Sequence, residues 1–375
     1  RRAARPIPGR SIWRCNDMVQ NTYSLGVHND FNNDVDSSNM ANGKPIYYWV
    51  GVTNSQIPTD AGQVFLVNCL NITVQNLTLA NNEQSIVLAD TTDSTITQNN
   101  VTNNDYGIDL ELSSSNNSIV GNGITNNLNG LVISSSSNNN VIGNDIDANI
   151  AVGISVDSSS NNVIAANNVT RSNNGSGITL SNSCENTVSK NNITSNSLDG
   201  ISLDSFSSNN SIIRNNIVKN NGYGVSLWSS SNNTVSGNNI ANNMIGIGLN
   251  CSGNFLFHNN FMSNNRQIQS DNSTNIWDNG YPSGGNYWND YKGTDFFSGP
   301  FQNETGADGI GDAAYVLDPN NTDHYPIAKP WTPPDIAATN VATTKTVIGQ
   351  GYTETVNVTF KNTGKIETFN IFVYA

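Results

Sequence analysis

Three carboxylates recur at one position of a repeating unit in this 375-residue chain: Glu111, Asp157 and Asp204, with Trp228 next on the same beat. Small residues, Ser134 and Ser181, occupy that position in the units between them. If successive units stack like paired strands, the acids stand roughly 9 to 10 Å apart along one face. That distance is near the upper end for the two carboxylates of an inverting glycosidase, and an indole ring is a platform on which a sugar can stack. The competing reading is that alternation keeps like charges off adjacent strands while leaving the surface soluble. A second position carries cations on neighbouring units, Lys190 and Arg214. Two such cations repel unless an anion or solvent screens them.

Other groups with chemical potential lie toward the carboxy end. Residues 275–295 gather Trp277, Tyr281, Tyr287, Trp288 and Tyr291 among glycines and acids. They are expected to cap the fold, with a carbohydrate-binding aromatic patch (Trp277, Tyr287, Trp288) as the second reading. Asp308 and Asp312 flank two glycines, with Glu304, Asp318 and Asp323 nearby. Calcium held there is one expectation and turn-forming Asp the other, because the spacing lacks the full pattern of an EF-hand loop. No other cofactor is expected. The three histidines, His28, His258 and His324, lie far apart in sequence, which argues against copper as the main business of the chain.

The elements that position these residues follow from self-similarity. Ile86, Ile108, Leu131, Ile154, Ile178, Ile201, Val225 and Ile247 recur about every 22 to 24 residues. A second apolar position runs from Val101 to Phe261, and a third through Ile96, Ile119, Val141, Val163, Val188, Ile212 and Val235. Three short strands per unit bury their apolar residues only if each unit stacks on the next. The fold class is therefore all-β, a right-handed parallel β-helix of about nine coils, roughly 40 to 45 Å long. Helical spacing is missing, and Ser, Asn and Gly are poor helix formers. Asn99, Asn122, Asn144, Asn167, Asn191, Asn215, Asn238 and Asn259 share one position and are expected to form a ladder of stacked amides. The outer middle position of the first strand (Val87, Asp109, Val132, Ser155, Thr179, Ser202, Ser226, Gly248) reads as a flat, small-residue face. Among the cysteines, stacking distances leave only a Cys15–Cys69 bridge possible.

Four segments are expected. Residues 1–62 hold a degenerate coil, with Met18, Val19 and Val27 inward, and an inserted loop containing the aromatic run at 44–50. Residues 63–270 form the repeats, 271–331 the aromatic and acidic cap, and 332–375 the start of an immunoglobulin-like sandwich after the proline-rich hinge "KPWTPPD". Its runs "DIAATNV", "TVNVTF" and "FNIFVYA" read as strands whose free edges could pair with other surface proteins. A net charge of −13 would repel a nucleic-acid backbone, and no run of eighteen apolar residues exists to span a bilayer. Repeated Asn-X-Ser/Thr triplets, as at Asn71, Asn168 and Asn272, suit a glycosylated protein at the cell surface or outside it.

The repeat resembles the right-handed parallel β-helix family, whose members include polysaccharide lyases, hydrolases and epimerases and the NosD-type periplasmic proteins. Residues 36–79 and the stretch "NIWDNGYPSGGNYWNDY…ADGIGDAAYVLD…HYPI" are similar to archaeal cell-surface NosD-like proteins, and the carboxy-terminal runs resemble a CARDB-type adhesion module. The resemblance covers roughly residues 11–331. It implies an extracellular structural or adhesion protein contacting a polysaccharide or cell-surface glycan. The alternative is a lyase, glycoside hydrolase or epimerase. In such lyases an Arg or Lys serves as base on uronate chains, but they usually also hold calcium in an acidic cluster, and none falls beside Lys190 and Arg214.

Overall fold

The computed structural model describes residues 11–19, 24–28 and 30–333, and the backbone of 336–343 and 356–362. Its strands stack into three sheets, one of thirteen strands and two of ten, parallel throughout except where Met40–Ala41 meets Lys44–Val50. The thirteen-stranded sheet, here the long sheet, exceeds the expected coil count because the stack reaches further toward the amino end. Lys44–Val50, read from the sequence as an insertion, is a full member of it, pairing Ile46 with Gln63 and Val50 with Val67 in parallel. Its burial alternates with the two-residue period of a strand, Ile46 and Tyr48 buried and Tyr47 and Trp49 half-buried.

The other two sheets are built mostly of three-residue strands in which the central residue faces in, for example Ser118–Val120 with only Ile119 fully buried. One inward residue differs from the reading above. Ile164, not Val163, lies opposite Val141 and Val188, so it takes the core position and Val163 faces out. The apolar columns merge into one continuous core from Ile57 to Trp288.

Polar stacking holds the corners. Asn122 donates from Nδ2 to Asn144 Oδ1 at 3.0 Å and to the Ile96 carbonyl at 2.9 Å. Its Oδ1 accepts from the Asn99 amide and Nδ2, both at 3.0 Å. Every polar atom of that buried side chain is thus paired, which is what makes burial of an amide tolerable. The ladder runs on to Asn259 and Asn286. Two further ladders exist that the repeat reading did not single out: Asn117 through Asn254 to Asn275, and Asn104 to Asn149 resuming at Asn196 after a break at Ser172. Before each ladder residue the chain turns left-handed, with φ from 54° to 66° at Ala166, Lys190, Arg214, Gly237 and His258. Gly130 sits where a Cβ would meet the Gly153 carbonyl of the next coil at 2.4 Å, so only glycine permits that coil spacing.

The two ends depart from the repeat. Met18 is only half-buried and Val19 is exposed, against the expectation that both face in, while Val27 is buried. Leu25, Val27, Phe31 and Val35 lie over the outer side of the long sheet, covering Phe65, Val87 and Ala89 in a second small core. At the carboxy end Trp288 pairs with Phe261 and stacks on it with ring centroids 4.2 Å apart. Trp277 and Trp288 are each 1% exposed, and their indole N–H groups donate to Asn321 and Asp323. The aromatic stretch thus closes the apolar column. The proline-rich segment is anchored at its start. Trp331 stacks on His258 at 5.2 Å, and its backbone exchanges two hydrogen bonds with the Asn260 side chain. Ile336–Thr343 and Val356–Asn362 form an antiparallel pair, and "FNIFVYA" lies outside the described residues. All four cysteines are free. Cys15 is exposed and Cys69 buried, so the bridge left open above does not form.

Candidate carbohydrate-facing surface

The outer face of the long sheet carries three columns of side chains in register. The first runs from Gln84 and Tyr106 to Tyr223, Ile245 and Arg266. The second contains Asp109, Val132, Ser155, Thr179, Ser202 and Ser226. The third holds Glu111, Asp157 and Asp204, and the sequence-derived column is reproduced in the pairings of Ala89 with Glu111 and of Ser181 with Asp157 and Asp204. The middle of the second column is a low floor of half-buried small side chains, with hydroxyls linking coils from Ser226 to Ser202 at 3.0 Å. Its ends are not flat. Val87 lies under the amino-terminal segment, and Asp109 and Ser226 are buried by their neighbours.

At the amino-terminal end, Gln84 Nε2 donates to Asp109 Oδ2 at 3.2 Å, while the Val27 amide donates to Gln84. Asp109 is 2% exposed, and its Oδ1 has no donor within reach. Its near neighbour is the Glu111 carboxyl, so the two can bond only by sharing a proton. Burial first, and the Glu111 charge second, push the Asp109 carboxyl well above the ordinary range. Tyr106, His28 and Glu83 complete the group: His28 Nε2 lies 2.8 Å from Glu83 Oε1, and its ring meets Tyr106 edge-on. Burial, reinforced by Asp109, Asp105, Glu111 and Glu83, raises the Tyr106 phenol.

Five coils further on, Asp199 stands where Gln84 stands, Tyr223 matches Tyr106, Ser226 matches Asp109 and Trp228 matches Glu111. Ser226 Oγ donates to Asp199 Oδ2 at 2.7 Å, and the Tyr223 amide donates to Oδ1 at 2.8 Å. Burial nevertheless lifts the Asp199 carboxyl. The Tyr223 ring meets Trp228 edge-on at 5.6 Å and lies over Gly248, where a Cβ would approach it to 2.6 Å. Both rings remain half-exposed. Beyond them, Arg266, Gln267, Asp290 and Tyr315 line a cavity of about 350 Å³ against the cap.

The face gathers Glu111, Asp157, Asp204 and Trp228 into one row, but not the other candidates. Lys190 and Arg214 occupy left-handed corner positions between the two ten-stranded sheets, so they do not converge with the acids of the long sheet. Trp277 and Trp288 present no face to a glycan because both rings are inside, and Tyr287 is half-buried beside them. Asp308 and Asp312, the calcium candidates, act as acceptors for backbone amides within the cap. Asp312 accepts from the amides of Phe296 and Phe297, and Asp308 from that of Ile310. Among the described residues no three His, Cys, Asp or Glu side chains converge to hold a metal.

Copper, which the resemblance to NosD-type proteins implies, is not matched by this chain's soft ligands either. His28 pairs with Glu83, whereas His258 and His324 hold opposite ends of one turn through Ser283 and Asp278. Cys69 and Cys251 are buried against backbone carbonyls. Sequence reasoning passed over Tyr106, Asp199 and Tyr223. A column plot of the first strand position would have placed them in line with Gln84.

Solved structures with a similar fold include a mutant of the periplasmic alginate epimerase AlgG, at 17% identity and TM-score 0.46, covering 65% of this chain and 66% of that one. The A-module of an Azotobacter vinelandii mannuronan C-5 epimerase matches at 18% identity and TM-score 0.44, over 60% and 78%. A pectate lyase matches at 14% identity and TM-score 0.39, over 62% and 80%. The chain thus spans slightly under two thirds of the first of these. No curated protein sequence matches. No helix among the described residues is long and apolar enough to cross a membrane. The family described as periplasmic copper-binding protein (NosD) matches residues 8–174 and 158–293, which together take in most of the chain, and the protein belongs to that family.

Proposed function

We propose that the protein is an extracellular or periplasmic rod that holds a polysaccharide along the outer face of its long sheet. The observation that carries this reading is the open group of Asp199, Tyr223, Ser226 and Trp228. A part-exposed carboxyl, held in place by the buried Ser226 hydroxyl, and two half-exposed rings adjoin a floor of small hydroxyl side chains. Aromatic faces with a few fixed polar groups are what a sugar ring needs for stacking and orientation. The long sheet supplies a straight track whose coil spacing is comparable to the length of one monosaccharide. Copper enters no step of this reading. The proline-rich segment, anchored through Trp331, would carry the following strands toward a surface partner as an adhesion module does.

Affinity electrophoresis in gels containing different polysaccharides tests the reading. Retardation of the wild type by at least one polymer, lost in Tyr223→Ala and Trp228→Ala, is the expected outcome. Mobility unchanged in every polymer removes it. A second reading, a polysaccharide-active enzyme, is favoured by one observation, the buried Asp109 beside Glu111, which is the arrangement of a carboxylic acid kept neutral for proton donation. Release of reducing ends or unsaturated sugars in a depolymerisation screen, abolished by Asp109→Asn, would establish it. An epimerase would instead appear as a changed uronate composition.

A further inference from the structure

One column of this face carries acids at a fixed interval. Glu111, Asp157 and Asp204 occupy one column at every second coil, with Ser134 and Ser181 between them. Their separation is roughly 9 to 10 Å. None of the three carboxylates has a cationic partner among the described residues, whereas Arg171, on another edge, is tied to Asp147. Lys190 and Arg214 lie at the corner between the other two sheets. The row begins beside Asp109, a buried carboxyl facing Glu111 whose Oδ1 lacks any donor. That oxygen is satisfied by a proton shared with Glu111, which leaves the outer Glu111 oxygen to a donor from solvent or ligand.

In a β-1,4-linked chain successive rings are flipped, so substituents of one kind face the same side on every second ring, and two rings are comparable in length to two coils. We propose that this face binds a linear amino-sugar polymer lengthwise, with ammonium groups on Glu111, Asp157 and Asp204 and a ring stacked at Tyr223 and Trp228. The inference rests on the carbohydrate reading above and narrows it to a cationic chain. A uronate polymer would bring its carboxylates against this acidic row, and Arg266 stands in the first column only at the far end of the face.

Titration calorimetry at mildly acidic pH tests it with three oligomers of about six rings, long enough to span the row. These are a fully deacetylated glucosamine oligomer, its N-acetylated form and an oligogalacturonate. The wild type is expected to bind the glucosamine oligomer, and acetylation to weaken binding roughly tenfold or more. The triple variant Glu111→Gln, Asp157→Asn, Asp204→Asn should lose a similar factor. A control triple elsewhere on the rod, Asp93→Asn, Glu185→Gln, Glu304→Gln, should lose far less. Equal losses in the two triples would reduce the effect to net charge and overturn the proposal. So would an acetylated or uronate oligomer that binds as tightly as the amine. Binding of those oligomers that disappears in Tyr223→Ala would keep the carbohydrate reading while removing the amine, and no binding by any oligomer would remove both.

Discussion

Two groups of side chains occupy equivalent coil positions five coils apart, and they have opposite characters. In the amino-terminal group, Gln84 bonds to Asp109 beneath the segment at 24–28. In the other, Asp199 bonds to Ser226 with Tyr223 and Trp228 half-exposed above. The polar link runs between the same two positions each time, but the carboxyl has moved from the second column to the first. Covered, it is left with one oxygen unpaired. Open, it receives donors on both oxygens. One repeat thus supports either a neutral buried acid or an accessible polar and aromatic edge, according to what lies over it.

The strongest way to break the comparison is to break the register that makes the two groups equivalent. Asn144→Leu, in the ladder between them, removes bonds to Ile119 and Asn167, strands the Asn122 amide and leaves Asn122 Nδ2 with the Ile96 carbonyl alone. A loss of about 3 kcal/mol or more is expected in urea denaturation followed by circular dichroism. A loss below about 1 kcal/mol would mean that the ladders do not hold the coils together.

A smaller effect concerns how buried acids behave where donors are plentiful and where they are not. Asp323, in the cap, accepts from the Asn286 amide, the Trp288 indole and the Tyr325 amide, yet burial pushes it up to about 7. A carboxyl raised in the folded state stabilises fully below its unfolded value of about 4, and that stabilisation is lost as pH climbs through the folded value. The melting temperature of the wild type should therefore fall between about pH 4 and pH 7. Asp109→Asn should flatten part of this slope, and Asp199→Asn less of it, because Asp199 keeps two donors. A slope unchanged in Asp109→Asn would show that the covered carboxyl is not neutral.

Next in size, Trp228→Ala should weaken glycan binding by roughly tenfold, in line with a stacking contribution of about 1 to 1.5 kcal/mol. Thermal stability should be nearly unaffected, because the ring is half-exposed. Affinity electrophoresis and melting curves on one preparation separate the two effects. Smallest of all, Arg171→Ala breaks an exposed ion pair to Asp147 on another edge. Neither melting nor binding should change measurably, and a clear loss of binding would move the glycan off the long sheet.

Much of this was legible in the residues. The spacing of Ile108, Leu131 and Ile154 gave the coils, and Asn99 to Asn259 gave one ladder. The run from Trp277 to Trp288 marked the cap because an apolar column must be closed. The slip at Val163 arose where "NNVIAANNV" offers two adjacent apolar residues, and only pairing with Val141 selects Ile164. Lys44–Val50 was misread as an insertion because its coil lacks the Asn and Gly markers, although its strand alternation is intact.

What the sequence by itself determined is the periodic part, since a repeat that can bury its apolar residues only against copies of itself admits one way of stacking. Which acids are covered, which rings face solvent and which residues share an outer column depended on tertiary structure. The segment at 24–28 covers Phe65, Val87 and Ala89, residues distant from it in sequence, and Gln84 meets Asp109, and Asp199 meets Ser226, through coil stacking. Burial and charge are set by what packs over a side chain, and no spacing along the chain encodes that.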